Sequence, residues 1–275
     1  MLTLTQGNYY SQEANAEYMS VHQFQSWREC AAREWAIQHG KWHTEVTEAM
    51  LVGSYVDAAL TETAEVFKRF KTEHAADIYT GKKDPHPRAQ FERADRMIAR
   101  LRNDESAREF LTGETQRIIV AELGGVLWKG KIDVFKPGLG MFVDLKTADS
   151  FDWQWRSFID PVTHDMRREK VPWHDKYWFQ LGTYRRILLM NGFDCVPIIL
   201  GVTKQDPPDI GAWTFNAKDR LDLEVESGLS HLGQIMAYKR GEAPCPRCES
   251  CDYCRQTKTL CIRPAEDYRS SRGRR

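Results

Sequence analysis

Near the middle of the chain, two strand-like runs face each other across a pair of glycines. Arg117–Leu123 and Val126–Phe135 are rich in β-branched and aromatic residues, and Gly124-Gly125 between them supplies the positive φ angles that a two-residue hairpin needs. After the Pro-Gly turn Lys136–Gly140 comes a third run, Met141–Lys146. Strands so close in sequence pair as neighbours, so this stretch commits the chain to a sheet. In the third run Val143 and Leu145 alternate with Asp144 and Lys146. Successive strand side chains point to opposite faces, so the pattern predicts one buried face and one face presenting both charges. The hairpin can bring Asp133 beside them, and Gly130 leaves room for a close approach. Two carboxylates and a lysine on a sheet surface suit magnesium-dependent phosphodiester hydrolysis. The acids offer hard oxygen ligands, and the lysine can orient or deprotonate water and screen a phosphate.

Helical periodicity dominates what comes before. Ser20 and Gln23 fit a capping box, Gly40 fits a stop, and Val21, Phe24, Trp27, Ala31 and Trp35 share one face, predicting a single helix from about residue 20 to 40. A second helical stretch runs from Glu48 to Phe70 with a break near Thr61, and a third from Arg88 to Phe110 in two pieces around Asn103. Lys82–Pro87 reads as a loop. Beyond the strands, Phe151–Val171 shows no period and reads as a loop or lid. His174–Asn191 is a helix ended by Gly192. Val196–Thr203 and Ala212–Phe215 are strands around Gln205–Asp209, and Ala217–Arg240 is a last long helix. The expected fold is an α/β core with a helical N-terminal addition and a C-terminal cysteine cluster. It is organised as one domain over 1–262: a helical part at 20–112, a core at 115–240, a cysteine motif at 245–261, and then a basic flexible tail at 263–275.

Composition excludes some classes. No run approaches the roughly 20 apolar residues of a membrane helix, and the N-terminal residues lack a basic-then-apolar leader, so a cytoplasmic protein is expected, with no membrane partner. Acids and bases number 39 each, a balance that weighs mildly against a nucleic-acid binder but allows acids around a metal and bases along a groove.

Three motifs in order now carry a resemblance. Gly130-Lys-Ile-Asp133, Asp144-Leu-Lys146 and Gln180-Leu-Gly-Thr-Tyr184 resemble the G-x-x-D, D/E-x-K and Q-x-x-x-Y motifs of PD-(D/E)xK nucleases of the RecB/RecE branch. Gln180 and Tyr184 lie one helical turn apart on a shared face. Leu51–Asp57 resembles the preceding helix motif G-S-x-x-H, with Asp57 where many relatives have histidine. Ile132 stands where the family name implies proline. Overall the chain is most similar to phage and prophage exonucleases of the exonuclease VIII (RecE) type.

The resemblance implies a restriction-endonuclease-like core with a mixed sheet flanked by helices. It implies a Mg²⁺- or Mn²⁺-dependent exodeoxyribonuclease acting in recombination or repair, in a bacterial or phage-infected cell. Asp133, Asp144 and Lys146 would be catalytic. Asp57, Asp133, Asp144 and the Leu145 carbonyl would hold the metal, with Glu122 as a further candidate, and Gln180 and Tyr184 would contact DNA or brace the site. Implied partners are linear double-stranded DNA ends, a single-strand annealing protein and a ring-shaped homo-oligomer. An alternative is a catalytically idle nuclease fold that binds DNA; the complete Asp133, Asp144 and Lys146 set argues against it.

Five of the seven cysteines are Cys245, Cys248, Cys251, Cys254 and Cys261, a density and C-x-x-C spacing that mark a thiolate metal centre rather than disulfides in a cytosolic protein. Residues 19–30 resemble the first helix of AddB-type and CRISPR-associated RecB-like nucleases, where one N-terminal and three C-terminal cysteines hold a [4Fe–4S] cluster. That resemblance implies Cys30, Cys248, Cys251 and Cys254 as ligands. Cys245, with Cys248 and Cys254 in C-x2-C-x5-C spacing, and Cys261 are alternates, and Zn²⁺ is the competing occupant. Cys195 reads as core packing. Trp153, Trp155, Arg156, Arg167, Arg168 and Lys170 interleave aromatic and basic groups suited to DNA contact, whereas Trp173 and Trp178 read as core.

Overall fold

The computed structural model describes residues 2–81, 83–159, 166–260 and 262. The alternate ligand Cys261 and the tail 263–275 lie outside the described residues. The N-terminal part is helical: α1 (Gln12–Glu17), α2 (Val21–Glu29), α3 (Ala31–Gln38), α4 (Glu48–Thr61), α5 (Ala64–Glu73) and the short α6 (Ala75–Ile78). A two-residue ladder of β1 (Tyr79–Thr80) and β2 (His86–Pro87) precedes α7 (Ala89–Arg102) and α8 (Glu105–Leu111). Ser20, Thr47, Thr63 and Asp104 cap α2, α4, α5 and α8 by accepting a backbone N–H three residues on, satisfying one orphan donor each. The single helix expected to Gly40 is two, because Cys30 adopts an extended conformation (φ −159°, ψ 96°) between α2 and α3.

The sheet then forms from β3 (Glu114–Leu123), β4 (Val126–Lys136) and β5 (Met141–Ala148). The hairpin closes at Leu123↔Val126 with both intervening glycines at positive φ, as the sequence predicts. After β5 the expected lid is instead an antiparallel ribbon of β6 (Gln154–Ile159) and β7 (Met166–Val171). The described side chains of its strands are largely solvent-facing, so no apolar alternation announces it. Its root is fixed by charge. Arg156 pairs with Glu169 and with the buried Asp175, both at 2.5 Å, and Arg220 reaches Asp175 at 2.6 Å.

Next come α9 (Trp178–Met190), β8 (Val196–Thr203), β9 (Ile210–Thr214), α10 (Lys218–Leu229), α11 (Leu232–Lys239) and α12 (Asp252–Gln256). The last long helix is thus divided at Ser230-His231, where Ser230 Oγ donates to the Ser227 carbonyl at 2.7 Å. Sheet order is β3-β4-β5-β8-β9, antiparallel except for the parallel pair β5–β8, which α9 connects.

Apolar cores lie on both sides of the sheet. Phe24, Trp27, Trp128, Phe142, Leu181, Ile187 and Ile199 form one, and Val52, Val56, Phe91, Met97, Val143, Leu145, Ile198 and Leu200 the other. The expected one-sided β5 is therefore corrected: Gln180 of α9 covers the Asp144 side, and Asp144 is 3% exposed. Trp173 belongs to the core, Trp178 packs against it half-buried, and Trp153 and Trp155 are exposed. Among the described residues no helix is long and apolar enough to cross a membrane.

Candidate active site

The β4–β5 pairing at Val134↔Val143 sets Asp133 across from Asp144. The Leu145 N–H donates to Asp133 Oδ2 at 2.7 Å, tying the first acid to the backbone of the second strand. Buried charge requires partners. Asp144 has them: Lys146 Nζ lies 2.7 Å from Oδ2, and Gln180 Nε2 donates to Oδ1 at 2.9 Å. Lys146 also sits 5.1 Å above the Tyr177 ring. Burial pushes the Lys146 ammonium toward losing its proton, but Asp144 and Asp133 outweigh it and hold the group charged. Burial raises the Asp133 carboxyl well above its usual range, Asp57 and Asp144 raise it further, and Lys146 opposes them.

Asp57 arrives from α4. Thr61, one turn on, places its hydroxyl 3.0 Å from Asp57 Oδ1, and Gln116 Nε2 lies 3.4 Å from Oδ2. Gln116 is a non-glycine residue at φ +54°, and its amide donates to Thr61 Oγ1 at 2.6 Å. Burial is the main reason that Asp57 too holds its proton more tightly than a free aspartate.

Tyr184 explains the glycine of the first motif. A Cβ built on Gly130 would lie 2.8 Å from Tyr184 Cε1, so the ring occupies the space a side chain would take. Asp57, Asp133, Asp144, Lys146, Gln180 and Tyr184 all line one cavity of about 1200 Å³. The structure thus brings together every acid–lysine candidate except Glu122. That residue is exposed, pairs with Leu127 near the hairpin tip, and stands six positions along β3 from Gln116, roughly 20 Å away. Nearness in sequence does not bring its carboxylate to the site, because the ten-residue β3 carries it toward the hairpin tip.

His22 was not legible in the sequence. Met19 joins the β4 edge through Met19 N–H to Leu127 O at 2.7 Å and Lys129 N–H to Met19 O at 2.8 Å, and this carries the first turn of α2 onto the cavity wall. Burial first, and then Lys146, lower the His22 pKa, while Asp144 opposes them.

Three acids gathered around a fixed lysine, with Asp57 and Asp144 raising the proton affinity of Asp133 between them, form a hard-oxygen donor set, which fits Mg²⁺ or Mn²⁺. The set is open: among the described residues, only four cysteines bring three or more His, Cys, Asp or Glu ligand atoms within 4.8 Å of one another.

Those four are Cys30, Cys248, Cys251 and Cys254. Cys30 Sγ lies 3.6 Å and Cys248 Sγ 3.9 Å from Cys254 Sγ. The Cys251 N–H donates to Cys248 Sγ at 3.3 Å, and the Cys254 N–H to Cys251 Sγ at 3.5 Å. Burial raises the Cys248 thiol, but hydrogen bonds from Ser250 and Cys251 overcome it and bring it down to about 6. The centre joins the α2–α3 junction to the C-terminal turn. Cys245 packs beside it, with Sγ 3.9 Å from the Tyr238 carbonyl, outside the group of four. Cys195 is buried in the core.

A mixed sheet with an Asp…Asp-x-Lys cluster on its central strands and a Gln-bearing crossover helix over it defines a PD-(D/E)xK-type chain. Residues 20–257 match the family model described as a PDDEXK-like domain of unknown function (DUF3799), and the chain belongs to that family. A crystal structure of a "putative exonuclease" from Eubacterium rectale is similar over 97% of this chain and 98% of that one, with a TM-score of 0.84 and 30% sequence identity. No curated protein matches the chain.

Proposed function

We propose that this chain is a metal-dependent DNA exonuclease that hydrolyses phosphodiester bonds at strand ends. One observation carries the reading: Asp133, Asp144, Lys146 and Gln180 form a connected set, buried at the wall of a cavity that also receives Asp57. The match to the E. rectale protein supports it. Asp133, Asp144, the Leu145 carbonyl and Asp57 would hold the cation. A divalent ion bound there neutralises charge on the scissile phosphate and acidifies water. Gln180 fixes the Asp144 carboxylate, and the Leu145 N–H fixes that of Asp133. Lys146, kept charged beside Asp144, donates to a phosphate oxygen and orients the attacking water. Tyr184, packed on Gly130, braces the floor. A recombination or repair role beside an annealing partner belongs to the same reading.

At the cysteine centre, four thiolates within 4.8 Å of one another suit a single metal centre, either the iron–sulfur cluster implied by resemblance or tetrahedral zinc, since both take four thiolates.

Incubating the purified protein with linear and closed-circular duplex DNA in Mg²⁺, Mn²⁺ or EDTA tests the activity. Loss of linear DNA alone, abolished by EDTA, is expected. No cleavage with any metal ends the enzyme reading, and cleavage of circles ends its restriction to strand ends.

A further inference from the structure

The cavity wall carries five lysine or arginine side chains: Lys129, Lys131, Lys146, Lys239 and Arg240. Three have acid partners, Lys131 with Glu62, Lys146 with Asp144 and Arg240 with Glu242. Among the described residues no carboxylate is ion-paired with Lys129 or Lys239. Both are instead gathered by Asn15. Lys129 Nζ donates to Asn15 Oδ1 at 2.8 Å and to the Tyr9 carbonyl at 2.5 Å, and Lys239 Nζ donates to the Asn15 carbonyl at 2.8 Å.

Lys129 is 1% exposed. A buried ammonium held only by neutral acceptors is costly, and two sharing one acceptor residue repel each other. Burial brings each of them down to about 8; Lys129 adds to the effect on Lys239 and Glu34 opposes it. Glu34, the nearby acid, is buried and occupied by Ser26 at 2.5 Å. Such an arrangement suits an anion. It lies four residues along β4 from Asp133, roughly 13 Å, so the anion it fits is not the one being cleaved. The Tyr10 ring, 72% exposed, stands edge-on to Tyr9 at 4.9 Å with Lys131 Nζ 5.5 Å over one face, and its exposed surface suits a stacked base.

We propose that Lys129 and Lys239, joined by Asn15, form a second phosphate site that holds a non-scissile phosphate of the substrate strand. Its position relative to Asp133 gives the enzyme a fixed register on the strand. The identity of the ligand as DNA rests on the nuclease reading; the anion site itself does not.

The test uses the full chain in EDTA, so that no cleavage occurs. Inorganic phosphate is added first, with melting temperature as the readout. Dye-labelled oligonucleotides bearing a 5′-phosphate, a 3′-phosphate or no terminal phosphate are then titrated by anisotropy. Wild type should be stabilised by inorganic phosphate. It should also prefer one phosphorylated end by about tenfold, the scale of charge-assisted hydrogen bonds. Lys239→Gln should remove both effects and Lys239→Arg should keep them. If all three oligonucleotides bind alike and Lys239→Gln weakens each about tenfold, the phosphate held is internal and the site stands. Stabilisation by inorganic phosphate without oligonucleotide binding keeps the anion site and removes DNA as its ligand. If Lys239→Gln, folded by circular dichroism, matches wild type in every titration, the proposal is wrong.

Discussion

Gly130→Ala should expose how the first and third motifs are coupled. The added Cβ would sit 2.8 and 3.0 Å from two carbons of the Tyr184 ring and 3.1 Å from Ile119 Cγ1. Gly130 has no positive φ, so the backbone itself accepts alanine, and in a strand alanine gains about 0.5–1 kcal/mol over glycine. The clash must outweigh that gain. Overpacking of this kind costs about 1–3 kcal/mol, and each kcal/mol lowers the melting temperature of a domain this size by about 2–4 °C. Gly130→Ala should therefore melt several degrees low. Removing the ring first reverses the sign. Tyr184→Ala alone costs about 3–5 kcal/mol, but adding Gly130→Ala to it should be neutral or stabilising. Urea denaturation of the four proteins should give a coupling energy of about 1–3 kcal/mol. If alanine at 130 costs the same with and without the Tyr184 ring, the glycine is not there to seat that ring.

Gln180→Leu removes the amide that holds Asp144 Oδ1, a charge-assisted hydrogen bond of about 1.5–3 kcal/mol. Single-turnover cleavage should fall about ten- to hundredfold while circular dichroism is unchanged; an unaltered rate excludes Gln180 from positioning Asp144. Cys30→Ser should release the metal of the cysteine centre and lower the melting temperature. Elemental analysis of wild type should return either four irons with a brown colour or one zinc without visible absorption, and a protein with neither metal would contradict a metal centre at these cysteines. Asp175→Asn should loosen the ribbon that Arg156 anchors, read as faster proteolysis within residues 154–171. Unchanged cleavage there would mean that Arg156–Glu169 alone suffices.

What could be read from the sequence was mostly local or ordered. Ser20, Thr61, Asn103 and Gly124-Gly125 mark boundaries by capping and turn chemistry, which neighbours in sequence decide. The acid–lysine site was legible because its strands are adjacent and its helix follows directly. Three features were not. The ribbon β6–β7 shows no apolar alternation, so its charges and tryptophans look like a loop. Lys129 reads as an ordinary strand lysine, and only the fold of residues 9–15 over it makes it buried. His22 and Gln116 reach the site through tertiary contacts, the Met19 bridge and the positive φ at 116, that no spacing announces. The helix breaks at Cys30 and Ser230-His231 were missed for a related reason: periodicity runs on across them, while packing and the cysteine centre turn the chain.

The central claim is that Asp133 and Asp144 seat a hard divalent cation beside Lys146. Calorimetric titration of Mn²⁺ into wild type and Asp133→Asn tests it directly. Wild type should bind with a dissociation constant that Asp133→Asn raises at least tenfold, while the cysteine-centre metal stays bound in both. Equal Mn²⁺ binding by the two proteins would contradict the account.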